Sequence, residues 1–335
     1  MSRALDKDTA TALKNGNSKA AYEAISQALL SSASPNDDLL DIEILGKAFP
    51  FQDGTYVLQE GVAIGASKLG LVQAFFVARQ VLTKHIDGTS PRTDDEMLAA
   101  TAVMLLLDPE HLTAANARKR ILQRQLHGHD QEKSQLALNK EKHFIDSFLT
   151  SRLHRHTKSP TLWSHRRWLM TVYTSLGIPV DVPGDIVKVI LVAGERHPRN
   201  YYAWCHARFL MGLGRRSSEN SRILAAVKNW CFGHHTDISG WSFLHFLFLH
   251  QARAPSEAAE TAFAEVLEFA DSLRLANESV WVFLRAMAAS GLVGDDGYSQ
   301  FFTTGQHLLA TSKRTEDLAV LRSAMEWCET FRTKT

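Results

Sequence analysis

A chain of 335 residues, 45% of them hydrophobic and 22% charged, has enough apolar surface to bury a large core, which excludes disorder as a description of the whole. The 37 basic and 36 acidic residues nearly cancel to a formal charge of +1, so no global field points to nucleic acid. Three widely spaced cysteines, Cys205, Cys231 and Cys328, lack the paired spacing of a zinc site or a disulfide framework, which fits a reducing, cytoplasmic setting.

Met1 to Asn17 is polar and charged without an apolar signal core, and no apolar run reaches the length of a membrane span. Residues 20–31 carry apolar side chains at three- and four-residue intervals, an amphipathic helix that Pro35 and Asn36 end. Gly46 to Val62 is rich in Gly, Pro and aromatics and reads as an irregular segment with short strand-like pieces. A long apolar helix follows from about Gly70 to His85, and another from about Thr93 to Leu107, stopped by Asp108-Pro109.

Beyond that point helix follows helix, and a tryptophan-centred block recurs. Trp163, Trp204, Trp241 and Trp281 stand 41, 37 and 40 residues apart, a spacing typical of stacked helical units. Each Trp helix is followed by a second amphipathic helix. Ile186, Val189, Ile190 and Ala193, for example, share a face between Pro183-Gly184 and His197-Pro198. The unit is a helical hairpin, which cannot cover its own apolar face, so neighbours must stack. The fold class expected is all-α: an alpha-alpha superhelix of stacked antiparallel helical hairpins. A degenerate unit precedes these, with Asn116 at the tryptophan position and an insertion, Gln123 to Leu138, that reads as a solvated loop containing His127-Gly128-His129-Asp130.

The four tryptophans are large aromatics at repeat positions and are assigned to packing. Arg166, Arg167, Arg208 and Arg285 are assigned to carboxylate pairs and inter-repeat hydrogen bonds. The histidine pairs His127 and His129, His154 and His156, and His234 and His235 do not share a helical face with a completing ligand set, so no metal site is expected. No nucleophile elbow or phosphate-binding glycine loop is present, and nothing suggests a self-sufficient enzyme.

Pro160-Thr161-Leu162-Trp163-Ser164-His165-Arg166-Arg167 and Asn200-Tyr201-Tyr202-Ala203-Trp204-Cys205-His206-Ala207-Arg208 resemble the repeats of protein prenyltransferase alpha subunits, roughly Lys-Asn-Tyr-x-x-Trp-x-x-Arg. The resemblance covers about residues 100–290 and is greatest to the divergent alpha-subunit repeat-containing branch, which partners the beta subunit of Rab geranylgeranyltransferase. It implies residues 1–99 as N-terminal helices and an irregular arm capping the solenoid, 100–290 as five repeats, and 291–335 as C-terminal capping helices. It further implies an alpha-type subunit, inactive alone, that wraps a catalytic beta subunit in a heterodimeric geranylgeranyltransferase. That enzyme takes an isoprenoid diphosphate and a protein substrate with a cysteine acceptor, one that already carries a lipid in this branch.

By the resemblance, Lys158, five residues before Trp163, contacts the diphosphate, and Arg199, Asn200 and Tyr201 face the substrate or the beta subunit. Pro160 stands where related units carry a tyrosine, so a hydroxyl contribution is absent there. Zinc, where used, belongs to the beta subunit. The competing reading is a non-catalytic helical-repeat scaffold, because the architecture alone does not separate the two.

Overall fold

The computed structural model describes residues 16–30, 38–46, 48–127, 131–213, 220–251 and 256–332. The fold is all-α with a helical repeat, as the periodicity predicts, and it carries one small sheet. Two compact units divide the chain, Met1–Val180 and Asp181–Thr335. Among the described residues no helix is long and apolar enough to cross a membrane.

The first unit opens with helix α1 (Ser18–Leu30); Pro35 and Asn36, expected to end it, lie outside the described residues. The segment expected to be irregular contributes to a three-stranded sheet of β1 (Asp41–Leu45), β2 (Val57–Glu60) and β3 (Ala63–Ser67) in the order β1-β3-β2. β1 runs parallel to β3, and β2 antiparallel to it. Alternation in Asp-Ile-Glu-Ile-Leu turns Ile42 inward and the carboxylates outward. Ser67 ends the sheet and caps α2 (Lys68–Ile86), its hydroxyl accepting from Gly70 N at 3.2 Å. A capping box between Thr93 and Glu96 starts α3 (Asp94–Leu107), whose residues Ala100 to Leu106 are all buried.

Helices α4 (Leu112–Leu126), α5 (Gln131–Thr150), a single turn α6 (His154–Thr157) and α7 (Pro160–Ser175) complete the unit. Two expectations change here. Most of the segment read as a loop, Gln123 to Leu138, is helical at the end of α4 and the start of α5; Gly128 to Asp130, and with them His129, lie outside the described residues. The buried stripe of α5 runs Ser134, Leu138, Glu141, Ile145 and Phe148, and its two polar members hide the helical period from an apolar count. Asn116, moreover, is exposed, and the tryptophan position of α4 belongs to buried Ala115, four residues after the cap His111.

The second unit begins with α8, whose α-helical ends Val182–Asp185 and Val192–Arg196 flank a π-helical middle, Ile186–Leu191. Ile186, Val189, Ile190 and Ala193 are all buried. There follow α9 (Tyr201–Leu213), α10 (Asn220–Gly233), α11 (Ile238–Gln251), α12 (Glu257–Ser272), α13 (Glu278–Ala289), α14 (Gly294–Thr311) and α15 (Thr315–Phe331). α9, α11, α13 and α15 pack side by side as one row, each with its hairpin partner behind it.

Aromatic rings join α9 to α11 and α11 to α13, and tie α13 to α14 behind the row. Trp204 meets Phe243 at 5.4 Å between ring centroids, Trp241 meets Phe283 at 5.1 Å and Trp281 meets Phe301 at 5.4 Å. All four repeat tryptophans are buried. Gly240 makes room for Trp230, whose ring packs on Trp204 with centroids 5.1 Å apart: a β-carbon at Gly240 would lie 2.6 Å from it.

Candidate functional site at the capped ends of the tryptophan helices

One rule builds the start of every Trp helix. The residue four places before the tryptophan is an N-cap whose side chain accepts a backbone N–H three residues on. Ser159 Oγ accepts from Leu162 N at 3.1 Å, Asn200 Oδ1 from Ala203 N at 3.2 Å, Asp237 Oδ1 from Gly240 N at 3.0 Å and Asn277 Oδ1 from Val280 N at 3.0 Å. The indole N–H folds back over the cap loop in three units. Trp163 Nε1 donates to Thr157 O at 2.8 Å, Trp241 Nε1 to His235 O at 3.1 Å and Trp281 Nε1 to Leu275 O at 2.8 Å. Trp204 Nε1 has no acceptor among the described residues.

Within each unit the cap loops are also tied to their neighbours. In the first, Ser159 Oγ donates to Pro109 O at 3.2 Å, Thr161 Oγ1 to Glu110 Oε2 at 2.6 Å, and Arg155 Nη2 to Asp108 Oδ1 at 3.0 Å. Buried His156 donates from Nε2 to Leu105 O at 2.9 Å; burial pulls its pKa down to about 4 despite that bond, so the ring is neutral. Lys158 caps the C-terminus of α6 on this rigid loop. Its side chain is exposed and, among the described residues, pairs with no carboxylate. Neighbouring cations do pair: Arg155 with Asp108, and Arg152 with both Asp41 and Glu43 at 3.2 Å.

In the second unit Arg199 adopts φ 60°, a left-handed conformation uncommon for a side chain of its size. Asp237 holds it there: Oδ2 accepts from Arg199 N at 2.5 Å while Oδ1 accepts from Ser239 N and Gly240 N, both at 3.0 Å. The Arg199 side chain is exposed. Asn200 is buried, spending its side chain on the cap and on a 3.4 Å bond from Nδ2 to Ala193 O. Tyr201 is 67% exposed and packs edge-on against Tyr202, with ring centroids 5.6 Å apart. A hydrogen bond with Cys205, foremost, raises the Tyr201 pKa. Arg199, Asn200 and Tyr201 therefore share one cap, and Lys158 belongs to the cap loop of the other unit. Asp237 was missed in the sequence, although its place four residues before Trp241 repeats that of Ser159, Asn200 and Asn277.

Behind the caps of the first unit lies a buried polar cluster. Arg118 forks onto Glu141, Nε to Oε1 at 2.8 Å and Nη2 to Oε2 at 2.7 Å, and His165 Nε2 stands 3.1 Å from Glu141 Oε1. Arg166 Nε reaches Asp146 Oδ1 at 2.7 Å, and Lys142 reaches Oδ2 at 2.7 Å. Burial pushes both carboxyls up, but the cations prevail and hold each at about 2. Arg118 and Arg166 lie three residues after the tryptophan position of their helices, so this is one device used twice.

The pair His234 and His235 is spent locally. His234 stacks on Trp230 with centroids 4.1 Å apart, and His235 Nδ1 bonds Asn277 Nδ2 at 3.1 Å. Among the described residues no three His, Cys, Asp or Glu side chains converge as a metal site would require.

Residues 162–270 match the family described as the ECM9 middle domain. The chain is similar to protein prenyltransferase alpha subunit repeat-containing protein 1 of Danio rerio, 27% identical over 188 residues that cover 50% of this chain and 41% of that protein. Protein ECM9 of Saccharomyces cerevisiae is 28% identical over 188 residues, covering 55% of this chain and 48% of its own length. The geranylgeranyl transferase type-2 subunit alpha of Candida albicans is 27% identical over 121 residues, 35% of this chain and 31% of that subunit. The matched stretch thus spans less than half of each relative's length.

Proposed function

With half of its length similar to a prenyltransferase alpha-subunit repeat protein, we propose that this chain is an alpha-type subunit of a heterodimeric protein geranylgeranyltransferase. In this reading a beta subunit of the Rab geranylgeranyltransferase type carries the catalytic pocket, and zinc bound there, where used, holds the acceptor cysteine as thiolate. This chain embraces that subunit and shapes the groove for the protein substrate.

The observation that carries the reading is Lys158, an exposed lysine on a rigid cap loop, without a carboxylate partner among the described residues. A diphosphate leaving an allylic carbon gathers negative charge in the transition state. An ammonium already positioned beside it lowers the barrier without reorganisation. Arg199 offers a second exposed cation and Tyr201 an exposed ring, while Asn200 acts as a positioning residue by holding the start of α9. The scaffold reading draws on a different observation: the clusters around Glu141 and Asp146 are buried ion pairs that serve the fold.

Co-expression with Rab-type beta subunits tests the proposal. We expect a stable heterodimer that transfers an isoprenoid from its diphosphate to a protein cysteine. Absence of both with every beta subunit leaves the scaffold reading in place. Lys158→Ala should leave assembly intact and slow transfer on the order of 100-fold; an unchanged rate removes Lys158 from the site.

A further inference from the structure

From Ile238 to Gln251, α11 contains no Asp, Glu, Lys or Arg. Its outward face sets two apolar side chains beside the exposed Ser242: Leu249 is 45% exposed and Phe246 is partly exposed. The neighbouring helix α9 also lacks carboxylates, and it presents Tyr201 and Tyr202 to the outside.

Arg208 sits between the two helices. Nη1 donates to Trp204 O at 3.2 Å and Nη2 to Ser242 Oγ at 2.9 Å, and the guanidinium carbon lies 5.7 Å from the Phe243 ring centre and 5.5 Å from that of Phe246. Its partners are neutral oxygens and ring faces. The two fully buried arginines, Arg118 and Arg166, each hold a carboxylate, whereas Arg208 has none among the described residues. A guanidinium partly withdrawn from water without a counter-charge is held at a cost.

We infer that α9 and α11 form the docking surface for an apolar segment of the partner subunit that carries a carboxylate, with Arg208 receiving that carboxylate. The inference rests on the heterodimer reading above and names the chemistry of the partner's contact. Two features favour this occupant. The half-sheltered cation calls for an anion, which Arg binds through a planar two-point fork. Around it Tyr201, Phe246 and Leu249 supply the aromatic and aliphatic flanks that exclude water from such a pair. Burial lowers the Arg208 pKa, the direction a sheltered and uncompensated cation takes, and an arriving carboxylate reverses it.

The test has two arms. In the chain alone, Arg208→Met keeps the packing stem and removes the uncompensated charge, so Tm should stay level or rise; a fall of several degrees means that Arg208 holds its own fold, and overturns the inference. In the heterodimer with the Rab-type beta subunit, Arg208→Glu and Leu249→Asp should each weaken association at least about 10-fold with helical content unchanged, and Arg208→Lys should fall between. Undiminished association of the Glu and Asp variants overturns the docking surface while the heterodimer reading stands. Failure of the unaltered chain to bind any beta subunit overturns both, and it is seen before any substitution is made.

Discussion

At the scale of single residues, the chain spends its buried charges on holding hairpins together. Arg166 and Asp146 are both almost wholly buried, 20 residues apart in sequence. Arg166→Met strands the carboxylate with Lys142 alone and should cost about 3–5 kcal/mol in urea unfolding. Pairing it with Asp146→Leu should restore most of the loss, because an apolar pair of similar volume leaves no charge to desolvate. Buried titratable groups set the pH dependence. His156 titrates at about 4 in the fold against 6.5 when free, so its contribution is complete above pH 6.5. As pH falls from 6.5 to about 4, the unfolded chain takes a proton that the folded chain refuses, and on the order of 3 kcal/mol is lost. Glu141 and Asp146, lowered to about 2 from 4.5 and 3.8, contribute fully above those ordinary values and fail as pH drops towards 2. Urea midpoints between pH 7.5 and 4.5 should therefore fall in the native chain. His156→Gln, which keeps an N–H for Leu105 O, should flatten that slope; an unchanged slope would place the titration elsewhere.

At the scale of elements, the Trp helices are set by their caps. Asp237 accepts three backbone N–H groups, two from its own helix and one from Arg199, 38 residues earlier. Asp237→Ala should cost about 2–3 kcal/mol, a cap plus an orphaned donor, and Asp237→Asn less, since an acceptor remains. Chemical denaturation of the two variants separates these outcomes. The interval recurs in the sequence, with Ser, Asn, Asp and Asn four residues ahead of the four tryptophans, but the structure is what shows these side chains to be caps. Where the tryptophan is missing the register slipped by one residue, from Ala115 to Asn116. A second mark was available there: Arg118 keeps the interval to Ala115 that Arg166 keeps to Trp163. The start of α5 was not legible, because Ser134 and Glu141 interrupt its apolar stripe and find their justification only in the partners they meet.

At the scale of the molecule, a near-zero net charge conceals an uneven distribution. α4, α7, α9 and α11 contain no Asp or Glu, while α12 alone carries Glu257, Glu260, Glu265, Glu268 and Asp271. The second unit has its own row of four packed helices with partners behind them, and residues 181–332 expressed alone should show a cooperative urea transition. A broad, uncooperative loss of helical signal would show that it depends on the first unit.

The sequence by itself determined the all-α class, the helices outside Gln123 to Leu138 and the tryptophan repeat, because helical periodicity depends on residues within one or two turns of one another. Tertiary structure alone decided the three-stranded sheet, the pairing of Arg118 with Glu141 and of Arg166 with Asp146, the reach of Asp237 to Arg199, and the want of a counter-ion at Arg208 among the described residues. These join groups on different elements, and the energy of a buried charge is set by what surrounds it in space rather than by what adjoins it along the chain.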